Sequence, residues 1–583
     1  MQQDKDIQKT YTIGSDENKN ANDIFQTLSK MKIMRIGQFF NSVKRCGVNV
    51  SDIILLLMLM PFHHLKSVPT LVKSGLSSNY GVECGNNVFY DLKNNPKINW
   101  RSLLYLIALR FKYLSKSVNS DIIGNVRAFI FDDSTLPKSG IKTEFVSRVH
   151  DHVSGDFIFG YKIMVMGYWD GLSFYPLDFT LHREKGGQID RVKQRLSTTN
   201  KRLAAQRQVK NDHTKLASQA KQTLKSIKKQ NKNKSTKTAA KHISTATNKL
   251  KRAKQKLKVS ESRYVELENK ATEIREELKE VKKSHPYYGL TTKQKDEQFK
   301  KCRDDKTPGA QRAAEVDSKK TTSAMTMLKN AVKRGFLADY VLTDSWFYNY
   351  ELVALISKLN KKIKLNLISM ARMGTTKYKL SSTGKYYNAN ELVIKFERKA
   401  INARSHKAKY IKIPVVYGDI RINLFFIKMG KFSGWRLLAT TDLTINFQKL
   451  MDVYQIRWSI ELFFRESKQY LNLGKSKSTC FDAQIADATI SLSQYVILSF
   501  HRRILEYSSF EGIFASAIGD AMQNSIASEL QKMFWIILEI YSNFTGVDII
   551  EVTRSIFRDE QVCNKIKLLN PIFFENLKKC EAA

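Results

Sequence analysis

Between Leu250 and Val281 a set of mostly apolar residues falls at alternating spacings of three and four: Leu250, Ala253, Leu257, Ser260, Tyr264, Leu267, Ala271, Ile274, Leu278 and Val281. Such a run buries its stripe as a long helix laid against a second helix, a coiled-coil seam. Upstream, Val192, Leu196, Leu203, Val209, Leu216, Leu224 and Ile227 give a looser helical pattern, and QNKNKSTKT between the two supplies a turn. Residues 188–283 are therefore expected to form an antiparallel helical hairpin, on the order of 60 Å long if each arm has about 40 residues. Residues 191–260 hold 22 Lys or Arg against one acid, Asp212, and no aromatic residue. A basic arm of this kind would track phosphates without reading sequence. As a solvated spacer or a self-association arm it would touch no nucleic acid.

The basic excess extends to the whole chain. Its 583 residues carry a formal charge of +42, which favours a polyanionic partner, nucleic acid first. A ribosome-associated protein would share that balance. Six cysteines (Cys46, Cys84, Cys302, Cys480, Cys563, Cys580) form no CxxC pair, which argues against a zinc ribbon or a disulfide framework. The N-terminus is polar, without a signal-peptide core. The apolar run Ile53–Met60 ends at Pro61 and is too short to span a bilayer. The expected setting is cytoplasmic, with access to DNA.

Residues 1–22 read as a disordered tail, and 23–120 as an N-terminal helical domain that could bind DNA, with breaks at Gly47, Pro61, Pro69 and Pro96. From Arg127 the pattern changes. RAFIFDDS is a buried strand ending in carboxylates, and FIFGYKIMVMGYWDG and LSFYPLDFTLHRE are two long strands. Later come the amphipathic helix AMTMLKNAVKRGF and the strand ADYVLTDSWF. Three strands, a helix and a fourth strand open an RNase H-like α/β fold. Its first part is expected at 121–187 and 284–371, around the hairpin. Residues 372–445 read as a β-rich insertion, with ELVIKFERKA, YIKIPVVYG, RINLFFIKM and WRLLATTD as strands. Residues 446–505 would return to the core, and 506–583 would form a helical C-terminal region.

Candidate chemistry starts in DVYQIRWSIELFFRESKQY. On one helix, Tyr454, Arg457, Glu461 and Lys468 fall within about 60° of one another. Ile456, Ile460, Phe463 and Phe464 would bury a neighbouring face. One carboxylate is thus held among a guanidinium, an ammonium and a phenol, although a surface ion-pair stripe gives the same spacing. Asp133 closes the first strand and Asp344 the fourth, at the same edge of the expected sheet. Each could merely cap the segment after it. Three such carboxylates suit phosphodiester chemistry, because hard oxygen ligands hold Mg²⁺ and two ions serve the attacking and leaving oxygens.

The spacing Y-x2-R-x3-E-x6-K, with the flanking words FDDSTLPKSG, ADYVLTDSWF and WRLLATTD, resembles the insertion-sequence-4 family of DDE transposases. The resemblance covers roughly residues 125–185 and 285–505. It implies a catalytic and metal-binding triad of Asp133, Asp344 and Glu461 using two Mg²⁺ or Mn²⁺ ions. Asp132 competes for the first place; Asp133 is preferred because a small hydroxyl residue, Ser134, follows it, as is typical of the family. Arg457 and Lys468 would hold phosphates, with Tyr454 beside them. Trp435 matches the place of a tryptophan that stacks on a flipped base in relatives, although a Trp there is more often core. The partners implied are double-stranded DNA, as element ends and target, and a second copy of the chain in a synaptic homodimer. The basic segment 188–283 has no counterpart in that pattern. A domesticated DNA-binding protein and a stand-alone metal-dependent nuclease are the alternatives.

Overall fold

The computed structural model describes residues 23–118, 126–151, 153–184, 187–230, 237–284, 290, 292–430, 433–505, 507, 509–548, 551 and 558–561. The expected tail 1–22, most of the QNKNKSTKT turn and residues 562–583 lie outside the described residues. The chain divides into two compact units: 1–146, 160–182 and 298–583 in one, and 147–159 with 183–297 in the other.

The first unit is mixed α/β. Strands β1 (Ala128–Pro137), β3 (Phe157–Trp169, in this unit from Gly160) and β4 (Phe174–His182) form an antiparallel series in the order β4-β3-β1, and β2 (Ser147–His150) falls in the second unit. On the other side of β1 lie β5 (Tyr340–Thr343) and β6 (Asn366–Ala371), both parallel to it. Parallel neighbours need crossovers, and helices supply them. The helix Lys320–Lys333 precedes β5. It stops at Gly335, whose φ of +80° lets the Phe336 N–H return to the Ala331 carbonyl at 3.1 Å. The helix Tyr350–Ile363 joins β5 to β6 and is capped by Asn349, which accepts from the Leu352 N–H at 2.8 Å.

Beyond β6 the sheet continues antiparallel through β12 (Arg436–Thr440), β11 (Ile420–Met429), β10 (Ala408–Tyr417), β7 (Lys377–Leu380) and β8 (Tyr386–Asn388), with β9 (Ile401–Ala403) paired to β10. One expected strand here is a helix: ELVIKF lies within Ala389–Phe396. Asn388 and Glu391 form a reciprocal capping box, so two otherwise unpaired N–H groups are satisfied, and Leu392 and Val393 turn inward.

The helix Phe481–Leu505 is the centre of the packing, with nearly every side chain from Phe481 to His501 buried. Phe111 of the helix Trp100–Val118 bridges it to β4, its ring 4.2 Å from Tyr175 and 5.5 Å from Phe500. Gln494 donates to the Leu57 and Met58 carbonyls at the end of the helix Val50–Leu59, which ties the N-terminal helices to the same core. The helix Phe510–Thr545 follows. Among the described residues no helix is long and apolar enough to cross a membrane.

In the second unit the helices Gly187–Gln230 and Lys237–Ser284 run side by side in opposite directions. Arg195 pairs with Glu277 at 2.8 Å and Gln206 donates to the Ser260 carbonyl at 3.2 Å, which fixes the antiparallel register. All ten heptad positions from Leu250 to Val281 are buried or half-buried. The partner helix departs from expectation at Val209 and Leu216, which are 41% and 52% exposed. Its seam keeps a strict three-four alternation through Val192, Leu196, Thr199, Leu203, Gln206, Lys210, His213 and Ala217. Of its polar residues, Gln206 and Lys210 find partners across the seam. Lys210 lies over the Tyr264 ring at 4.9 Å.

Candidate active site

Parallel pairing of β1 with β5 ends at Phe131 and Thr343, so the next residues, Asp132 and Asp344, emerge side by side. Each carboxylate accepts from the amide after it: Asp133 N–H to Asp132 at 2.8 Å, Ser345 N–H to Asp344 at 2.5 Å. The first strand does not close at Asp133 as expected. β3 goes on pairing with it as far as Pro137, opposite Gly160. Side chains alternate along a strand, so Asp132 and Ser134 share one face of β1, and Asp133 and Thr135 the other.

The second half of the site comes from two helices, not one. Phe447–Gln455 ends and Trp458–Tyr470 begins across Ile456 and Arg457. Both keep helical dihedrals, but the hydrogen bonds tighten to i→i+3, with Arg457 N–H to the Tyr454 carbonyl at 3.1 Å and Ile460 N–H to the Arg457 carbonyl at 3.2 Å. Tyr454 therefore sits on the last turn of the first helix and Arg457 caps the second. Ile460, Phe463 and Phe464 bury the inner face of the second helix, as the spacing predicts, while Ile456 is half-buried.

This geometry brings four of the sequence-selected residues to the Asp132 face of β1. Arg457 donates through Nη2 to Glu461 at 2.6 Å and through Nη1 to Asp132 at 3.3 Å. Lys468 donates to the Ser134 hydroxyl at 2.7 Å. The Tyr454 hydroxyl reaches the Thr343 carbonyl at 3.4 Å, beside Asp344. Asp133 is not part of this group. On the opposite face it pairs with Lys320 at 2.9 Å. The sequence could not tell the two aspartates apart, because AFIF ahead of them is apolar on both faces and both faces are covered.

Burial pushes the Asp132 carboxyl up to about 7; Arg457 works against the shift, while Asp133 and Asp344 add to it. Burial also lifts Tyr454 to about 12, opposed by Arg457 and supported by Asp344 and Asp132. A buried carboxyl beside two others is a poor place for an isolated negative charge and a good one for a cation. Asp132 and Asp344 offer the hard oxygen donors that Mg²⁺ takes. Glu461 does not yet join them. Among the described residues no three His, Cys, Asp or Glu side chains gather closely enough to hold a metal ion. The chemistry of the donors suits a hard cation at Asp132 and Asp344, while Glu461 is paired with Arg457 at 2.6 Å.

Trp435 lies away from the core, half-buried one residue before β12, with Lys428 6.0 Å from its ring and Lys409, Arg404 and Lys407 lining the same cleft of about 480 Å³. Two further tryptophans escaped sequence reasoning. Trp346, two residues past Asp344, is 57% exposed with Arg372 4.8 Å over its ring, and Trp458, next to Arg457, is 63% exposed. The signal for both was adjacency to a candidate carboxylate or guanidinium in the sequence.

The family model for the transposase DDE domain matches residues 307–497, a stretch holding Asp344, Trp435, Tyr454, Arg457, Glu461 and Lys468 but not β1. The match supports an enzyme of the transposase or nuclease kind. No curated protein matches the chain.

Proposed function

We propose that this protein is a DNA transposase of the insertion-sequence-4 kind, with an RNase H-like core and a triad of Asp132, Asp344 and Glu461. The observation that carries the reading is the emergence of Asp132 and Asp344 side by side where β1 and β5 part, with Glu461 across from them on Arg457. The strand order β4-β3-β1-β5-β6, antiparallel and then parallel, supports the core assignment. The region 372–445 is then a β-rich insertion and 188–283 a second, helical one.

In this reading Asp132, Asp344 and Glu461 hold two Mg²⁺ or Mn²⁺ ions, which would activate the attacking oxygen and stabilise the leaving one. Arg457 and Lys468 bind the phosphates of the scissile end, and Tyr454 supports the backbone carbonyl ahead of Asp344. Trp435 stacks on a base drawn out of the duplex. Hydrolysis of one strand leaves a 3′-hydroxyl and a 5′-phosphate. The hydroxyl then displaces a phosphodiester oxygen on the opposite strand to close a hairpin. After a second hydrolysis it attacks target DNA, each transfer releasing one 3′-hydroxyl. The proposed setting is a synaptic homodimer on two inverted ends, in a prokaryotic cytoplasm.

The test is cleavage of a labelled duplex carrying the element's own end, with and without Mg²⁺, in the wild type and in Asp344→Asn. Magnesium-dependent nicking and a hairpin product, both lost in the variant with end binding retained, are expected. Full cleavage by the variant would remove the triad. The engagement of Glu461 by Arg457 favours one other reading, a DNA-binding descendant without chemistry, and tight binding with no cutting in the wild type would select it.

A further inference from the structure

We propose that the tip half of the helical hairpin, residues 201–230 and 237–258, is a second DNA-binding surface that grips the phosphate backbone of duplex DNA without reading sequence. The choice of DNA over other polyanions rests on the function proposed above; the surface itself does not. Charge along the hairpin is polarised. Its base, from Glu261 to Ser284, mixes seven acids with six Lys or Arg, whereas residues 191–260 hold 22 Lys or Arg and only Asp212. Even Asp212 is engaged by the Gln208 amide, at 3.3 Å. The base can neutralise itself, as Arg195 and Glu277 do at 2.8 Å. The tip has only Asp212 with which to do so.

The folded geometry turns these cations outward. Apart from Gln206, Lys210 and His213 the seam takes apolar and small residues, and Lys215, Lys221, Lys225, Lys251, Lys254 and Lys258 are all exposed. That seam is thinned by Ala217, Ala220, Ala246 and Ala253, which bury little area, and the larger Leu224, Ile227, Ile243 and Leu250 are only half-buried. Like charges at this density repel along both helices. The folded tip therefore gains stability from a polyanion that binds it and not the unfolded chain. The arms of the tip, 30 residues over 201–230 and 22 over 237–258, extend roughly 45 Å and 33 Å, of the order of one turn of duplex, about 34 Å. Duplex DNA presents a charge about every 1.7 Å, and its release of counterions on contact drives binding. Val209 and Leu216, exposed among the cations, add no base-reading donor or acceptor.

The experiment uses the full chain without divalent ions, with a random-sequence duplex followed by fluorescence anisotropy across a salt series. The variant carries Lys215, Lys221, Lys225, Lys251, Lys254 and Lys258 all changed to Gln, which keeps helix propensity. Expected are an affinity at least about tenfold lower near 0.1 M salt and a log–log salt slope shallower by roughly five, about 0.9 for each phosphate no longer neutralised. Circular dichroism should show that DNA raises the helix melting of the wild type and not of the variant. Unchanged affinity and slope would overturn the proposal, as would a loss confined to anionic phosphatidylserine vesicles or to duplex RNA. Asp344→Asn serves as the control for the proposed function. If it cuts normally while the six-Gln variant loses duplex binding, the triad falls and the hairpin surface stands.

Discussion

Arg457 and Asp132, 325 residues apart in the chain, meet at 3.3 Å across the gap where β1 and β5 separate, and the same guanidinium holds Glu461 at 2.6 Å. The arginine thus stands as counter-charge to two of the three proposed metal ligands. Removing it leaves a buried carboxyl without the cation that offsets its burial and the charges of Asp133 and Asp344. Arg457→Gln should lower metal-free stability by roughly 1–3 kcal/mol, since an unpaired buried polar group is costly. Mg²⁺ should restore much of the loss by taking the same place. Thermal unfolding with Mg²⁺ and with chelator checks this. An equal deficit under both conditions would mean that Arg457 and the metal do not share the site.

Asp132 and Asp133 differ by one position and by the face of the sheet, so they should differ sharply in effect. Asp132→Asn should reduce strand cleavage by more than about a thousandfold, as expected for loss of a ligand to the ions at the reacting oxygens. Asp133→Asn removes the partner of Lys320, whose side chain is 29% exposed. It should leave cleavage within about tenfold and cost on the order of 1 kcal/mol of stability. Cleavage rates of the two variants on the same end duplex decide the matter, and the reverse ranking would return the first ligand to Asp133.

Much of the site was legible because it depends on spacing. Arg457 and Glu461 meet because residues four apart on a helix share a face, and the heptad from Leu250 to Val281 marks every sheltered position it names. What the sequence hid is a set of tertiary choices. The face of Asp132 is fixed by the register of β1 against β5, which an evenly apolar strand does not encode. The split of the signature between two helices depends on a local tightening at Ile456 and Arg457. ELVIKF looks like a strand by composition, and its capping box decides for a helix. Lys210 enters the hairpin seam where Val209 was expected, because antiparallel pairing presents Tyr264 to the lysine.

A buried ion network holds the segment before the helix Pro308–Glu315 to the start of the helix Phe481–Leu505. Arg303 pairs with Glu144 at 2.6 Å and with Asp482 at 3.1 Å, and all three side chains are at most 5% exposed. Glu144 also accepts from the Phe481 N–H at 3.0 Å, and Lys301 meets Asp482 at 2.9 Å. Removing one member strands charge in the interior. Arg303→Met should destabilise the fold by about 3–5 kcal/mol, read as a lower urea midpoint with an unchanged slope. A shift within about 0.5 kcal/mol would show that water reaches the network.

Two groups that titrate in opposite senses hold the first helix, Ile24–Lys30. His501 meets the Thr27 hydroxyl at 2.7 Å, and Asp520 accepts from the Ile24 N–H at 3.0 Å. Burial lowers His501 from 6.5 to about 4, with Lys30 adding to the shift. Burial raises Asp520 from 3.8 to about 6, against the Ile24 hydrogen bond and with Asp23 adding. The unfolded chain protonates His501 first, so its contribution is lost as pH falls from about 6.5 to about 4. The unfolded chain ionises Asp520 first, so its contribution is lost as pH rises from about 4 to about 6. Over that shared window the two slopes oppose and nearly cancel in the wild type. His501→Gln should uncover the aspartate, giving stability that falls with rising pH, and Asp520→Asn should give stability that rises. Each slope should be at most on the order of 1 kcal/mol per pH unit. Urea midpoints near pH 4.5 and pH 6 measure both, and matching slopes in the two variants would place the titrating groups elsewhere.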